Sequence, residues 1–165
     1  MSKLDTVLAG KNSVGIAGHV RPDGDCVGST LAVYNYIRFY YPKVDVRLYL
    51  EPIPNIFKFM AHSSDIRNEY TDEIIFDLFI AEDCGDTGRL GNAAKYFEHA
   101  AHTFCIDHHV SNNGFADVNH VRGEISSASE VLYGLLDADK IDRSIAVPIY
   151  TGMAHDTGVF QYSST

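Results

Sequence analysis

Residues 74–86 read IIFDLFIAEDCGD, and this stretch decides the fold class. A near-continuous apolar run over 74–81 passes directly into the acidic residues Glu82, Asp83 and Asp86. An apolar run without alternation is typical of a strand that is covered on both faces, as in a parallel sheet. We therefore expect a central strand over 74–81 whose carboxyl end carries acidic side chains.

Strand and helix patterns alternate along the rest of the chain. Residues 13–18, 44–50 and 103–106 have the short apolar or alternating patterns of strands. Helical spacing predicts helices over 28–41, 89–101, 127–136 and 142–153, although Pro148 is unusual inside a helix. We therefore predict an α/β fold, with a mainly parallel sheet of about five strands and helices on both faces.

Composition and charge narrow the class of protein. The 165 residues, 45% of them hydrophobic, are enough for one core, so we expect a single domain over 1–165. The formal net charge of −9 disfavours a long duplex nucleic acid as a partner. The sequence has neither a signal-peptide pattern nor a long apolar segment, which predicts a soluble, cytoplasmic protein without a membrane partner.

Clusters of metal-ligand residue types follow three of the predicted strands. The carboxyl ends of parallel strands meet at one edge of a sheet, so these clusters are expected to converge. A further acid, Asp156, is expected in the loop after the last helix and within reach of the same edge. The clusters are His19 with Asp23 and Asp25, then Asp83, then Asp107 with His108 and His109.

The residue types in these clusters indicate a particular chemistry. A carboxylate can bridge two cations, and imidazole favours manganese-like metals over calcium. Two such cations clamp the attacking and leaving oxygens of a phosphoryl group. Each cluster alone is also explained by turns and helix caps, so only their combination predicts metal-assisted phosphate hydrolysis.

The same residues resemble the four motifs of the DHH phosphoesterases over nearly the whole chain. These motifs are HVRPDGD at 19–25, Asp83, DHH at 107–109 and DTG at 156–158. The surrounding residues 28–29, 111–112, 126–130 and 158–160 resemble the branch of bifunctional oligoribonucleases that also act as 3′-phosphoadenosine 5′-phosphate phosphatases. The resemblance implies an N-terminal catalytic domain that acts on short oligoribonucleotides or nucleotide phosphates.

The resemblance also implies a role for each ligand residue. His19 and Asp23 would hold one divalent cation, and Asp25, His108 and Asp156 the other. Asp83 would bridge the two cations, for which Mn²⁺ is the expected metal. His109 would face the phosphate as a catalytic group beside Asp83, and Asp107 would orient the neighbouring imidazoles.

The chain departs from the family pattern in two residues and one domain. His155 precedes Asp156 where a small polar residue is common, and Cys84 follows Asp83 where the family often has a hydroxyl-bearing or small residue. The small C-terminal substrate-binding domain of the family is absent from this chain. We therefore expect the chain alone to bind metal but to hydrolyse nucleotides slowly.

Other functions stay open at the level of the sequence. A manganese-dependent inorganic pyrophosphatase uses a similar set of clusters, and a cyclic-dinucleotide phosphodiesterase is a further alternative. A non-catalytic nucleotide- or metal-sensing domain would keep the fold without the chemistry. A homodimer is compatible with the sequence.

Overall fold

A computed structural model describes residues 3–161 of the chain. The predicted domain also includes residues 1–2 and 162–165, which lie outside the described residues. The five α-helices within the described range are α1 (Lys3–Leu8), α2 (Gly24–Tyr40), α3 (Ala94–His99), α4 (Ala128–Tyr133) and α5 (Arg143–Asp156). The five strands are β1 (Ser13–Ala17), β2 (Asp45–Tyr49), β3 (Leu78–Glu82), β4 (Thr103–Asp107) and β5 (Val118–Val121).

The strands form one sheet in the order β2-β1-β3-β4-β5, and every neighbouring pair is parallel. This topology confirms the α/β prediction and places β3 at the centre. Successive side chains of a strand point to opposite faces. Accordingly, Leu78 and Ile80 belong to one hydrophobic cluster, whereas Phe79 and Ala81 belong to the other.

Helices cover both faces of the sheet, as expected. Helices α2, α4 and α5 contact one another, and α2 and α4 also contact the strands on one face. On the other face, α3 contributes Tyr96 and Phe97 to a cluster with Tyr49, Phe76 and Phe79. Among residues 3–161, none of the helices is long and apolar enough to cross a membrane.

Two glycines allow α2 and α5 to cross at close range. A Cβ atom on Gly28 would lie 2.5 Å from the carbonyl oxygen of Pro148 and 3.0 Å from the backbone nitrogen of Gly152. A Cβ atom on Gly152 would overlap Ser129 and lie 2.7 Å from Asp25 Oδ1. The crossing therefore brings the last turn of α5 towards the first turn of α2.

Helix α5 accommodates Pro148 through a side-chain hydrogen bond. Proline has no backbone N–H, so the carbonyl four residues earlier loses its helical donor. That carbonyl belongs to Ser144, and it accepts a hydrogen bond from Asn35 Nδ2 at 2.7 Å. The contact restores the missing partner and ties α5 to α2, so the helix predicted from residue 142 forms despite the proline.

Several predicted boundaries were wrong. The central strand begins at Leu78 rather than at residue 74, because the backbone N–H of Asp77 donates to the Ser13 hydroxyl instead of joining the ladder. The Asp77 carboxylate also accepts the backbone N–H groups of Asn12 and Ser13. Helix α2 begins at Gly24, four residues earlier than expected, because Asp23 caps it. Helix α4 ends at Tyr133, before the predicted residue 136.

Two further elements were not predicted correctly. The expected helix over 89–101 is a 3₁₀ segment at Thr87–Ala93 followed by the short α3, because Gly91 interrupts the helical backbone with a φ of 54°. Strand β5 had no apolar run to reveal it, since it is an edge strand whose first two residues are exposed.

Candidate metal centre

The ends of three neighbouring strands place three of the predicted ligands side by side. His19 follows β1, Asp83 follows the central β3, and His108 follows β4. His19 Nε2 lies 3.4 Å from Asp83 Oδ2, and His108 Nε2 lies 3.5 Å from Asp83 Oδ1. Asp83 therefore stands between the two imidazoles and turns one carboxylate oxygen towards each of them.

The backbone at Asp83 is unusual for a residue with a side chain. Its φ is 55°, in the left-handed region that costs most non-glycine residues free energy. Aspartate tolerates this region better than most residues. The turn takes the chain out of β3 at the point where the carboxylate meets His19 and His108.

Helix ends supply the other three predicted ligands. Asp23 caps α2, and its Oδ1 lies 3.7 Å from His19 Nε2. Asp25 is in the first turn of α2. Asp156 is the last residue of α5, so the predicted position of this residue in a loop was wrong. Asp156 Oδ2 lies 3.3 Å from His108 Nε2. The helix reaches Asp156 because it continues three residues beyond the predicted end.

The start of α4 fixes the Asp25 carboxylate. Asp25 is fully buried, and its two oxygens accept hydrogen bonds from the backbone N–H groups of Ala128 at 2.6 Å and Ser129 at 2.9 Å. This contact was not predicted from the sequence. Its only local signal was Ser127, whose hydroxyl caps α4 by accepting the N–H of Glu130.

Asp107 orients His109 through a hydrogen bond. The buried Asp107 carboxylate accepts His109 Nδ1 at 2.7 Å on Oδ1 and Asn112 Nδ2 at 2.7 Å on Oδ2. Asn112 also donates to the carbonyl of Cys84 at 3.0 Å, which links the loops after β3 and β4. With Nδ1 engaged, His109 has Nε2 available for a ligand. The hydrogen bond to Asp107 also raises the pKa of His109.

The imidazoles are strongly biased towards their protonated forms by the surrounding carboxylates. Burial alone would lower the pKa of His19, but its contacts with Asp23 and Asp83 outweigh burial and raise the pKa to about 10. Burial is likewise outweighed at His108, where Asp83 is the main partner and the pKa rises to about 9. Burial opposes ionisation of Asp83, yet these two imidazoles hold its pKa well below the usual value.

Burial raises the pKa values of two further carboxylates. Burial, together with the charges of Asp83 and Asp156, raises the pKa of Asp25 to about 7. Glu82 is fully buried, and neither of its carboxylate oxygens has a hydrogen-bond partner among residues 3–161. Burial raises its pKa well above the usual value. No role was predicted for Glu82, although period-two alternation places its side chain on the same face of the sheet as that of Ile80.

The donor set fits divalent cations. Asp83 Oδ1 is buried and has no hydrogen-bond partner within the described range, which is costly for a carboxylate unless a cation or proton compensates it. Carboxylates with imidazoles suit manganese-like ions. The groups whose ligand atoms all lie within 4.8 Å of one another are Asp25–His108–Asp156, Asp83–His108–His109, His19–Cys26–Asp83 and Asp23–His155–Asp156.

One of these groups has the same residues as the ligand set predicted for the second cation, whereas the ligands predicted for the first cation fall into different groups. Asp25, His108 and Asp156 form one group as expected, whereas His19 and Asp83 are grouped with Cys26, and Asp23 is grouped with His155. All six predicted ligands nevertheless lie at one edge of the sheet. Their role as ligands stays a prediction.

Most of the chain matches a known family model and curated relatives. Residues 13–153 match the model of the "DHH family, N-terminal domain". The chain is 29% identical over 152 residues to the bifunctional oligoribonuclease and PAP phosphatase NrnA of Bacillus subtilis, covering 89% of this chain and 47% of that protein. It is 25% identical to the protein of the same name from Thermus thermophilus, covering 98% of this chain and 48% of that one.

A solved structure shows the same fold. An exopolyphosphatase-related protein from Bacteroides fragilis superposes with a TM-score of 0.88 at 27% identity, covering 98% of this chain and 51% of that one. The chain spans about half the length of the curated relatives it matches.

Proposed function

Because the chain belongs to the DHH family, we propose that it is a metal-dependent phosphoesterase acting on short oligoribonucleotides or nucleotide bisphosphates. The observation that carries the proposal is the Asp83 carboxylate, whose two oxygens face His19 and His108 and whose buried Oδ1 has no hydrogen-bond partner within residues 3–161. The names of the relatives from Bacillus subtilis and Thermus thermophilus support the substrate class, since both are bifunctional oligoribonucleases and PAP phosphatases.

The proposed centre holds two divalent cations, with Mn²⁺ as the expected metal. His19 and Asp23 would hold the first cation, Asp25, His108 and Asp156 the second, and Asp83 would bridge them. When bound, such cations supply Lewis acidity towards the phosphate and the attacking water. The amides of α4 would support this arrangement, since they prevent the Asp25 carboxylate from rotating away from the centre.

His109 is the proposed catalytic group of the chain itself. Asp107 engages its Nδ1 and thereby fixes both the plane of the ring and the position of the proton. The other nitrogen can then stabilise charge on the phosphate or deliver a proton to the leaving oxygen. Asp107 acts as a positioning residue in this scheme, and Asn112 holds Asp107.

Asp107→Asn is expected to lower kcat about a hundredfold with little change in KM, because His109 loses the anion that orients it. Nδ1 would then lack its carboxylate partner, and the pKa of His109 should fall towards its ordinary value. Steady-state kinetics at saturating Mn²⁺ provide the measurement. Asp117→Asn is the matched control, since Asp117 accepts a backbone N–H of β4 outside the centre. Equal kcat values for the two variants would contradict the role of Asp107.

Cation affinity is expected to increase with pH around neutrality. His19 and His108 bind a cation only as neutral imidazoles, whereas their pKa values are raised to about 10 and about 9 in the metal-free protein. Each cation must therefore displace a proton, and its affinity should rise about tenfold from about pH 7 to about pH 8. Isothermal titration calorimetry in buffers of different ionisation enthalpy measures both affinity and proton release. An affinity independent of pH would show that these imidazoles are not ligands.

Parallel assays with pApA, 3′-phosphoadenosine 5′-phosphate, inorganic pyrophosphate and a cyclic dinucleotide test the proposed function. We expect Mn²⁺-dependent hydrolysis of the first two substrates to exceed that of the others. Faster hydrolysis of pyrophosphate would favour the pyrophosphatase alternative. A chain that binds Mn²⁺ without hydrolysing any substrate would favour the sensing domain.

A further inference from the structure

We propose that His155, Asp23 and Asp156 form a third, outer divalent-cation site at the solvent-facing side of the centre. The inference rests on the proposed function, because Asp23 and Asp156 are also assigned to the two inner cations. His155 has no part in the inner pair. Its role would therefore be specific to the outer site.

The three side chains already have the spacing of a ligand set. One ligand atom from each of His155, Asp23 and Asp156 lies within 4.8 Å of the others. Asp156 faces both sites, since its Oδ2 is 3.3 Å from His108 Nε2 and its Oδ1 is 3.7 Å from His155 Nδ1. One carboxylate can thus serve an inner cation with one oxygen and an outer cation with the other.

Packing holds the His155 ring in this position. Gly24, between Asp23 and Asp25, leaves the space that the ring occupies, since a Cβ atom there would lie 2.5 Å from His155 Cγ. The ring of Phe57 meets the imidazole edge to face at 5.8 Å between centroids. The imidazole is therefore placed by its neighbours over the loop that carries Asp23, unlike an unrestrained surface histidine.

Exposure and charge also suit a cation at this position. The side chains of His155 and Asp23 are 44% and 43% exposed, so a cation can enter and keep part of its water shell. Within residues 3–161, the ion-pair partners of Asp23 and Asp156 are imidazoles. No lysine or arginine in that range forms an ion pair with either carboxylate.

The outer site should be weaker than the inner pair. A third dication a few ångströms from two others is repelled by them, although solvent at the rim screens part of this repulsion. We expect an affinity at least about tenfold lower than that of the inner sites.

Counting Mn²⁺ ions per chain tests the proposal. Equilibrium dialysis, with free Mn²⁺ read by electron paramagnetic resonance, is expected to give two tighter ions and one weaker ion for the unmodified chain. His155→Phe keeps a ring against Phe57 but removes the ligand nitrogens, so only the weaker ion should disappear. His102→Phe, at an exposed histidine outside the centre, should retain all three ions.

The outcomes separate this proposal from the proposed function. An unmodified chain that binds only two ions, or a His155→Phe variant that still binds three, would overturn the outer site. A single weak ion that disappears in His155→Phe would support the outer site while contradicting the inner pair. Circular dichroism confirms that each variant is folded, and His155→Leu replaces the phenylalanine variant if the larger ring does not fit.

Discussion

Asp83→Asn is expected to abolish binding of the inner Mn²⁺ pair and to lower the hydrolysis rate by at least about 10³-fold. Asp83 faces His19 and His108 with separate oxygens, so in the described part of the chain it is the carboxylate that contacts both of these imidazoles. An amide of the same shape carries no charge and offers a single acceptor oxygen. A loss of this size corresponds to about 4 kcal/mol of transition-state stabilisation.

The control for this variant is Asp86→Asn. Asp86 is an exposed acid three residues further along, and it caps the 3₁₀ segment without contacting the imidazoles. The Asp86→Asn variant should have an Mn²⁺ affinity and a hydrolysis rate within about twofold of those of the unmodified chain. Calorimetric titration and steady-state assays are run on both variants after circular dichroism confirms folding. Tight binding of two Mn²⁺ ions by Asp83→Asn would contradict the bridging role.

Gly28→Ala is expected to lower the free energy of unfolding by about 2 kcal/mol. Replacing glycine with alanine inside a helix normally stabilises it by about 0.5–1 kcal/mol, so the expected sign is reversed here. The reason is the backbone of α5, which approaches to 2.5 Å at Pro148 and 3.0 Å at Gly152 from the new Cβ atom. Backbone atoms cannot rotate away, so the two helices must separate.

Helix separation would also weaken the second inner cation site. Asp25 is on α2 and Asp156 on α5, so widening the crossing moves the two carboxylates apart. We expect a loss of cation affinity together with the loss of stability, measured by calorimetry and by urea denaturation. The control is Gly134→Ala, where the nearest atom to the new Cβ is 3.5 Å away. Similar unfolding free energies for Gly28→Ala and the unmodified chain would show that the crossing is not tight.

The sequence alone determined the fold class and the chemical character of the site. A parallel sheet buries its strands on both faces, so β3 appears as an apolar run, and its carboxyl end must join the other strand ends at one edge. The acids and histidines at those ends then predict a cation site. These features depend on short-range patterns and on a general rule of topology, which is why they can be predicted from the sequence.

The groups that hold the ligands in place became apparent only in the three-dimensional structure. Asp25 accepts amides from Ala128 and Ser129, residues that are 103 and 104 positions away in the sequence. Asn35 donates a hydrogen bond to the carbonyl of Ser144 in the proline-containing helix, 109 positions away in the sequence. Hydrophobic periodicity reports which face of an element is buried, but not which distant backbone group it meets. The Asn35 contact belongs to the crossing of α2 and α5 at Gly28, whereas the Asp25 contacts join α2 to the start of α4. The position of His155 beside Asp23 and Asp156 arises where the end of α5 packs against Gly24.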